Sequence, residues 1–582
     1  MNQLNSNGLQ APAAARIARW QGLFLLSGWI DGTIGSGMEA VLDDASLPAG
    51  AQGTALTDKN WSLADKAVQP PAARLDFTVL SPALMTVKKD PMSISNPESR
   101  TTEVPAKEHS TALRAGSVGV LGILFFVLSA QAPLTGIVGA SPLAAALGNG
   151  AGAPGAYLIV GIVIVIFAVG FVAMSRRIQA NGAFYAYITA AFGRKTGAGA
   201  AWLALLAYNT VQAAMYGLYG AAFSGLLASM GLEVPWWLLA LATMAGVQVL
   251  GSLNIELGAR VLALLVGLEV AVLLLFGLTV LSRGGGPEGI SVAASFSPEA
   301  IATGAPGVAI MFAVASMFGF ESTAIYSAEA KDPHRTVARA TYLSVGVIAV
   351  FFSFISWMLV SFYGPSRVMD AAGAALESGD ATSFVLEPMV ELFGPWAGVA
   401  TGVLLVTSLL AGIIAFHNGI NRYLHSLALR GSMPAVVART NRHGAPAVAA
   451  RIQTAAAVVL VVPFAILALD PVLTLFSWFS GLAVAGLLVL YMLCSVAVVG
   501  YFRRESGGAQ LWQTLIAPAL AALLLGWILF LVVSNFTALI GGSAGTATAL
   551  LVIVPAVFVA GMLVESRVQR RHQAADLGHR VN

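Results

Sequence analysis

The chain has a single cysteine, Cys494, among 582 residues, so no intrachain disulfide framework holds it together. Charge is scarce as well. Asp, Glu, Lys and Arg make up 10% of the sequence, against about 25% in soluble domains. Catalytic signatures are scarce too: no HExxH pattern occurs, and no paired cysteine or histidine set suggests a metal site. Gly193-Arg194-Lys195-Thr196 has the wrong spacing for a P-loop. These absences argue against a self-contained ATP-driven pump and a zincin-type membrane protease. They point away from an enzyme and call for no cofactor and no metal.

What is abundant is apolar length. The sequence is 57% hydrophobic and contains 61 glycines, and its mean hydropathy is +0.80. Glycine is commoner in membrane helices than in soluble ones, so the composition indicates an all-α polytopic membrane protein. From Ala115 onward twelve apolar stretches follow one another, near 116–140, 155–175, 198–229, 235–252, 260–282, 306–327, 341–363, 393–417, 448–469, 473–501, 511–534 and 545–565. Each approaches the roughly 20 residues that cross a bilayer, and the long third and tenth permit tilt.

The chain thus divides into residues 1–110, a membrane domain at 111–566 and a tail at 567–582. The first segment holds no apolar run of spanning length; Gly22 to Ile30 is short and Asp31 interrupts it. Residues 31–110 mix Gly, Pro, Ser and isolated charges without period, for which disorder is the default. Met92 opens a stretch that reads as a polar amino-terminal tail, so residues 1–91 are expected to be an over-extended reading frame. A peptide from that segment in the native protein overturns the expectation.

Past residue 110 there are 22 Lys and Arg, and of these only Arg283 and Arg367 fall in loops after odd-numbered spans. The positive-inside rule then places both termini in the cytoplasm, with the protein in the cell (cytoplasmic) membrane. Ile178 to Phe192 is short, aromatic and semi-polar, and is expected at the cytoplasmic interface. Residues 364–392 have room for one or two short helices that lid an outer vestibule, or form a solvated linker.

Two spans are interrupted. In the first, Ser129, Gln131, Pro133, Thr135 and Gly136 cluster at the centre. Pro133 lacks an amide donor and clashes with the preceding turn, and groups freed in lipid must be satisfied by protein, water or ligand. In the sixth, Ser316-Met317-Phe318-Gly319 is followed by Glu321. Broken helices 1 and 6, five spans apart, are the sequence pointer to an inverted-repeat transporter site; a kinked packing helix, and a packing glycine beside a snorkelling acid, are the plainer readings. Half-helix ends offer amide hydrogens at one end and carbonyls at the other, a pair that suits a zwitterion.

Other polar residues sit within spans. Glu269 is a lone carboxylate in the fifth, where a charge costs about 2.5–3.5 kcal/mol on insertion scales. Proton coupling and a structural hydrogen bond are both open readings for it. Tyr208, Asn209 and Gln212 on the third span, and Thr407 and Ser408 on the eighth, are either interhelical glue or site wall. His417, Asn418 and Asn421 lie near the cytoplasmic end of the eighth.

Three stretches carry a family resemblance. Phe318-Gly319-Phe320-Glu321-Ser322, followed by Glu329-Ala330-Lys331-Asp332-Pro333-His334-Arg335 and Arg339-Ala340, is the first. Ser129-Ala130-Gln131-Ala132-Pro133-Leu134 is the second. The third runs from Phe416-His417-Asn418-Gly419-Ile420-Asn421-Arg422 through Leu427-Ala428-Leu429-Arg430 and Met433-Pro434 to Gly444-Ala445-Pro446. Residues from about 112 to 566 resemble the amino acid–polyamine–organocation (APC) family of secondary transporters. Departures are Ala-Gln-Ala-Pro at the first break, where many relatives carry Gly-Ser-Gly-like residues, Ala328 in place of a second acid, and Gly431-Ser432 after Arg430.

The resemblance implies a LeuT-like 5+5 inverted repeat with two further helices, about twelve in all. Substrate would bind between spans 1 and 6, with spans 3 and 8 as scaffold and wall, and Phe318 near an aromatic gate. Together with the polar residues read within the spans, it gives as candidate substrate-binding residues Ser129, Ala130, Gln131, Ala132, Thr135, Ser316, Met317, Phe318, Gly319, Tyr208, Gln212 and Thr407; Glu321 matches the family's span 6 glutamate and is, with the span 5 carboxylate Glu269, a proton-coupling candidate. The implied activity is amino acid or amine import by proton symport, with exchange of two amines as the alternative and a flux-free sensor as a third class. The implied partners are a small amino acid or amine, protons and the lipid bilayer, and no nucleic acid.

Overall fold

The computed structural model describes residues 119–178, 183–253, 259–321, 323, 332–505, 508, 510–541 and 543–581. The expectations for the amino-terminal segment, and the signature residues Ser322, Glu329 and Lys331, lie outside them. The described residues are helical throughout, with no strand among them.

The chain opens with α1 (Val120–Gln131) and α2 (Pro133–Leu143), two halves of one helix interrupted at Ala132. Tight turns through Gly148–Gly152 lead into α3 (Ala153–Ser175). The aromatic stretch after it forms α4 (Ala183–Phe192). Then come α5 (Arg194–Ser229), α6 (Trp236–Ser252) and α7 (Ala259–Ser282). The second broken segment begins as α8 (Pro306–Met317) and is followed by α9 (Pro333–Tyr363). Residues 364–392 fold into two short helices, α10 (Val368–Glu377) and α11 (Ser383–Phe393), rather than a linker. The remainder is α12 (Pro395–Leu429), α13 (Ala447–Ile466), α14 (Ser477–Arg504), α15 (Ala517–Ser534) and α16 (Ala544–Val581).

Among the described residues eight helical stretches are long and apolar enough to cross a membrane. α2 runs on through its turns into α3 and counts with it as one such stretch, while α6 and α8 are apolar but shorter. The segment from 567, predicted as a tail, continues α16 to Val581.

Packing holds the long helices close. α16 crosses α5 at Gly561 and Gly199, where an added Cβ would lie 2.8 Å from Ala198 O and Phe558 O respectively. Below that crossing Glu565, 2% exposed, receives Arg194 Nε at 3.1 Å, Ser432 Oγ at 3.1 Å and Gln569 Nε2 at 3.1 Å. A buried carboxylate is tolerable when it is paired and hydrogen-bonded in this way. On the opposite loops Glu288 accepts from both the N–H and the hydroxyl of Ser366. Those bonds hold its carboxyl below the usual carboxylate range and pin the start of the α10 region to the α7–α8 loop.

Candidate functional site

The two helix breaks face each other. At the first, Ala132 adopts the left-handed conformation (φ 42°, ψ 77°) and its N–H closes α1 on Leu128 O at 3.1 Å. Pro133 then starts α2, where its missing amide removes nothing from the helix. The next N–H, of Leu134, donates to Glu269 Oε2 at 3.1 Å, reaching across from α7. The Gly136 N–H returns to Ala132 O at 2.9 Å. Thr135 carries another amide of the first turn of α2, which has no partner within its own helix.

The second break is built differently. α8 ends at Met317, Phe318 is extended (φ −69°, ψ 159°) and Gly319 stands at φ 105°, a conformation closed to other residues. The Gly319 N–H donates to Glu321 Oε2 at 2.8 Å, and the Tyr491 hydroxyl donates to the same oxygen at 3.4 Å.

Gln131 ties the breaks together. Its Nε2 donates to Met317 O at 2.9 Å, one of the carbonyls that the end of α8 leaves unpaired. Its Oε1 is buried and has no partner. Ser316 Oγ donates to Phe312 O at 2.9 Å and lies 3.3 Å from Gly136 O.

Between the breaks lies a cavity of about 60 Å³. A water takes ~10–15 Å³ of such space, so the cavity is roughly the size of four or five waters. Gln131, Ala132, Thr135 and Gly136 line one side, and Ala315, Ser316 and Phe318 another. Val211, Ala214 and Met215 come from α5, Phe416 from α12, and Phe476, Ser480 and Val484 from the α14 segment. No charged side chain lines it.

Of the predicted site residues, Gln131, Ala132, Thr135, Ser316 and Phe318 line this cavity. Met317 contributes its carbonyl and Gly319 the turn. The side chains of Ser129 and Ala130 lie outside the described residues. Glu269 and Glu321 stand behind the lining, each on a break amide. Three predicted residues are not brought to the cavity. Gln212 donates to Ile413 O at 3.1 Å and accepts from Gln453, which joins three helices. Thr407 turns its hydroxyl back onto Val403 O at 2.9 Å, and its neighbour Ser408 faces Thr135 Oγ at 3.5 Å instead.

Tyr208 belongs to a column of rings. Phe318 meets Phe416 edge-on at 6.0 Å, Phe416 meets Tyr208 at 6.3 Å, Tyr208 meets Tyr423 at 6.4 Å, and Tyr423 meets Tyr185 at 6.4 Å. The Arg430 guanidinium closes the column 4.6 Å above Tyr185. The wall residues Val211, Met215, Phe476 and Val484 were not foreseen. They carry no signal beyond their spans, because an apolar helix does not mark which face meets lipid and which meets a cavity.

Residues 118–558 match the sequence profile of the amino acid permeases. The chain belongs to the amino acid permease family. It is a multi-pass membrane transporter. This permease is similar to the branched-chain amino acid permease BcaP of Lactococcus lactis, with 26% identity over 381 residues, covering 61% of this chain and 76% of that protein. It is also similar to an uncharacterized transporter of Legionella pneumophila, with 24% identity over 332 residues, 55% of this chain and 68% of the other. Among solved structures, a mutant manganese transporter of Eremococcus coleocola overlays the permease with TM-score 0.49 and 15% identity, covering 79% of this chain and 98% of that one.

Proposed function

We propose that this permease carries a small zwitterionic amino acid with an aliphatic side chain into the cell by proton-coupled symport and alternating access. The observation that carries the reading is a pair of hydrogen-bonding groups at the first break. Gln131 Oε1 is a buried acceptor without a donor, and the Thr135 N–H belongs to the first turn of α2, whose amides have no partner within their own helix; both residues line the cavity. An ammonium group satisfies the first and a carboxylate the second, with the N-terminus of α2 favouring the anion. Buried polar groups are otherwise hydrogen-bonded, so the pair is a place for a ligand of that chemistry.

The rest of the wall supports an aliphatic side chain. Val211, Ala214, Met215 and Val484 offer no charge or strong donor to a basic or acidic substrate. The relative named a branched-chain amino acid permease is in keeping with this. Under this reading the twelve apolar stretches form a 5+5 inverted repeat with two further helices. Both termini and the basic loops face the cytoplasm, the protein sits in the cytoplasmic membrane, and Glu269 and Glu321 are the proton-coupling candidates.

The test is uptake by purified protein in liposomes under an inward proton gradient, using labelled alanine, valine, leucine and isoleucine, with arginine, glutamate and putrescine as competitors. Accumulation of an aliphatic amino acid, unaffected by the charged competitors, is the expected result. Accumulation without a gradient but with an internal amino acid identifies an exchanger. Neither flux nor binding for any of them overturns the reading.

A further inference from the structure

Glu269 stands where a substrate carboxylate belongs. The N-terminus of a helix attracts anions through its unpaired amides and its dipole, and α2 has few amides to give. Pro133 has none, Leu134's is taken by Glu269 Oε2 at 3.1 Å and Gly136's by Ala132 O at 2.9 Å, which leaves Thr135's as the other amide of the first turn. The carboxylate that takes it comes from α7, 135 residues away in sequence, and is 1% exposed. The hydroxyl of Ser408 stands close enough to act on it electrostatically. Among the described residues no charged side chain acts on it from α1, α2, α9, α11 or α12, the helices packed on α7. The Ser408 hydroxyl in turn lies 3.5 Å from that of Thr135, which lines the cavity. Cavity, Thr135, Ser408 and Glu269 thus form one short polar connection through an otherwise apolar bundle.

Resting on the amino acid reading above, we propose that Glu269 is a built-in stand-in for the substrate carboxylate. Ionised, it occupies the Leu134 amide and holds the α2 terminus against a second anion. A proton passing by way of the Thr135 and Ser408 hydroxyls neutralises it. The neutral acid releases the Leu134 N–H, which then joins the Thr135 N–H in binding the substrate carboxylate, while Gln131 Oε1 takes the ammonium. One proton enters with each amino acid, because two carboxylates cannot share one helix end. On release to the cytoplasm the proton leaves Glu269, and its carboxylate returns to the amide. Glu321 does not have this role: it caps Gly319 two residues away within its own segment and does not reach α2.

The test uses the full chain in liposomes with labelled leucine, valine and alanine, and reads three quantities: the pH dependence of Kd, counterflow without a gradient, and gradient-driven accumulation. In the native permease Kd should weaken toward tenfold per pH unit once Glu269 is ionised. Glu269→Gln, a neutral isostere, should bind with a pH-independent Kd, retain counterflow and lose accumulation. Glu269→Asp should restore part of the coupling, and Glu321→Gln should keep the native pH dependence of Kd. Ser408→Ala, which spares the carboxylate, should shift the midpoint of the pH profile and serves if Glu269→Gln does not fold. Gradient-driven accumulation by Glu269→Gln, a native pH profile in that variant, or an unshifted Ser408→Ala each overturns the proposal. Absence of binding and counterflow in the native permease instead removes the amino acid reading, and the proposal with it.

Discussion

The two helix breaks meet at one cavity but are stabilised in opposite ways. The second is closed mainly from within: its turn needs Gly319 and its amide is capped by Glu321 two residues on, while Tyr491 and Gln131 reach it from other helices. The first depends on distant parts of the chain. Its left-handed residue is Ala132, its amide is capped from α7, and its Gln131 reaches across to α8. A locally closed break keeps its shape when neighbouring helices shift. A break held by remote partners changes when they do. The first is therefore the responsive half of the site and the second its fixed frame.

Substitutions at both breaks test that contrast. The largest effect is expected from Gly319→Val. A β-branched residue at φ 105° carries strain of about 1–3 kcal/mol or more, and uptake in liposomes should fall to background. If uptake persists, the second break is not a fixed frame. Next is Gln131→Leu, which removes the proposed acceptor for the ammonium and leaves Met317 O without its donor. An unsatisfied buried group costs about 1–3 kcal/mol, so equilibrium binding should weaken roughly tenfold to a hundredfold. Ala132→Gly acts in the other direction. It relieves a left-handed alanine, worth roughly 1–2 kcal/mol, against a glycine entropy cost of about 0.5–1 kcal/mol. A rise of a few degrees in Tm in detergent is expected, and a fall would show that the left-handed turn is not strained. The smallest effect belongs to Tyr491→Phe. It removes only a 3.4 Å contact to Glu321, and Kd should change less than about threefold, since a neutral hydrogen bond nets about 0.5–1.5 kcal/mol at ordinary length.

Both breaks were legible in the sequence, for different reasons. Gly319 beside an acid in an apolar span is a direct signal, because φ 105° admits little else. Pro133 marked the first break to within one residue, yet nothing in the sequence singles out Ala132 as the left-handed position. The two short helices between α9 and α12 were readable from the length and polarity of their loop. The wall of the cavity was not. Gln212 and Thr407 are polar residues in apolar spans, as a site residue is expected to be, but they are spent on Ile413 O and Val403 O. Met215 and Val484 line the cavity and look like any lipid-facing residue. The partner of Glu269 was equally hidden, because a backbone amide 135 residues away leaves no mark on the sequence.

The ring column from Phe318 to Tyr185 bears on speed rather than on affinity. Each ring pair contributes about 0.5–1.5 kcal/mol beyond simple burial, so its four joints together resist separation by about 2–6 kcal/mol. A solute leaving the cavity toward Arg430 has to part those joints in turn. At 1.4 kcal/mol per tenfold, that slows escape by roughly one and a half to four powers of ten. Under the proposed symport the column is a timer: it holds the cargo long enough for the proton to be committed before the far side opens.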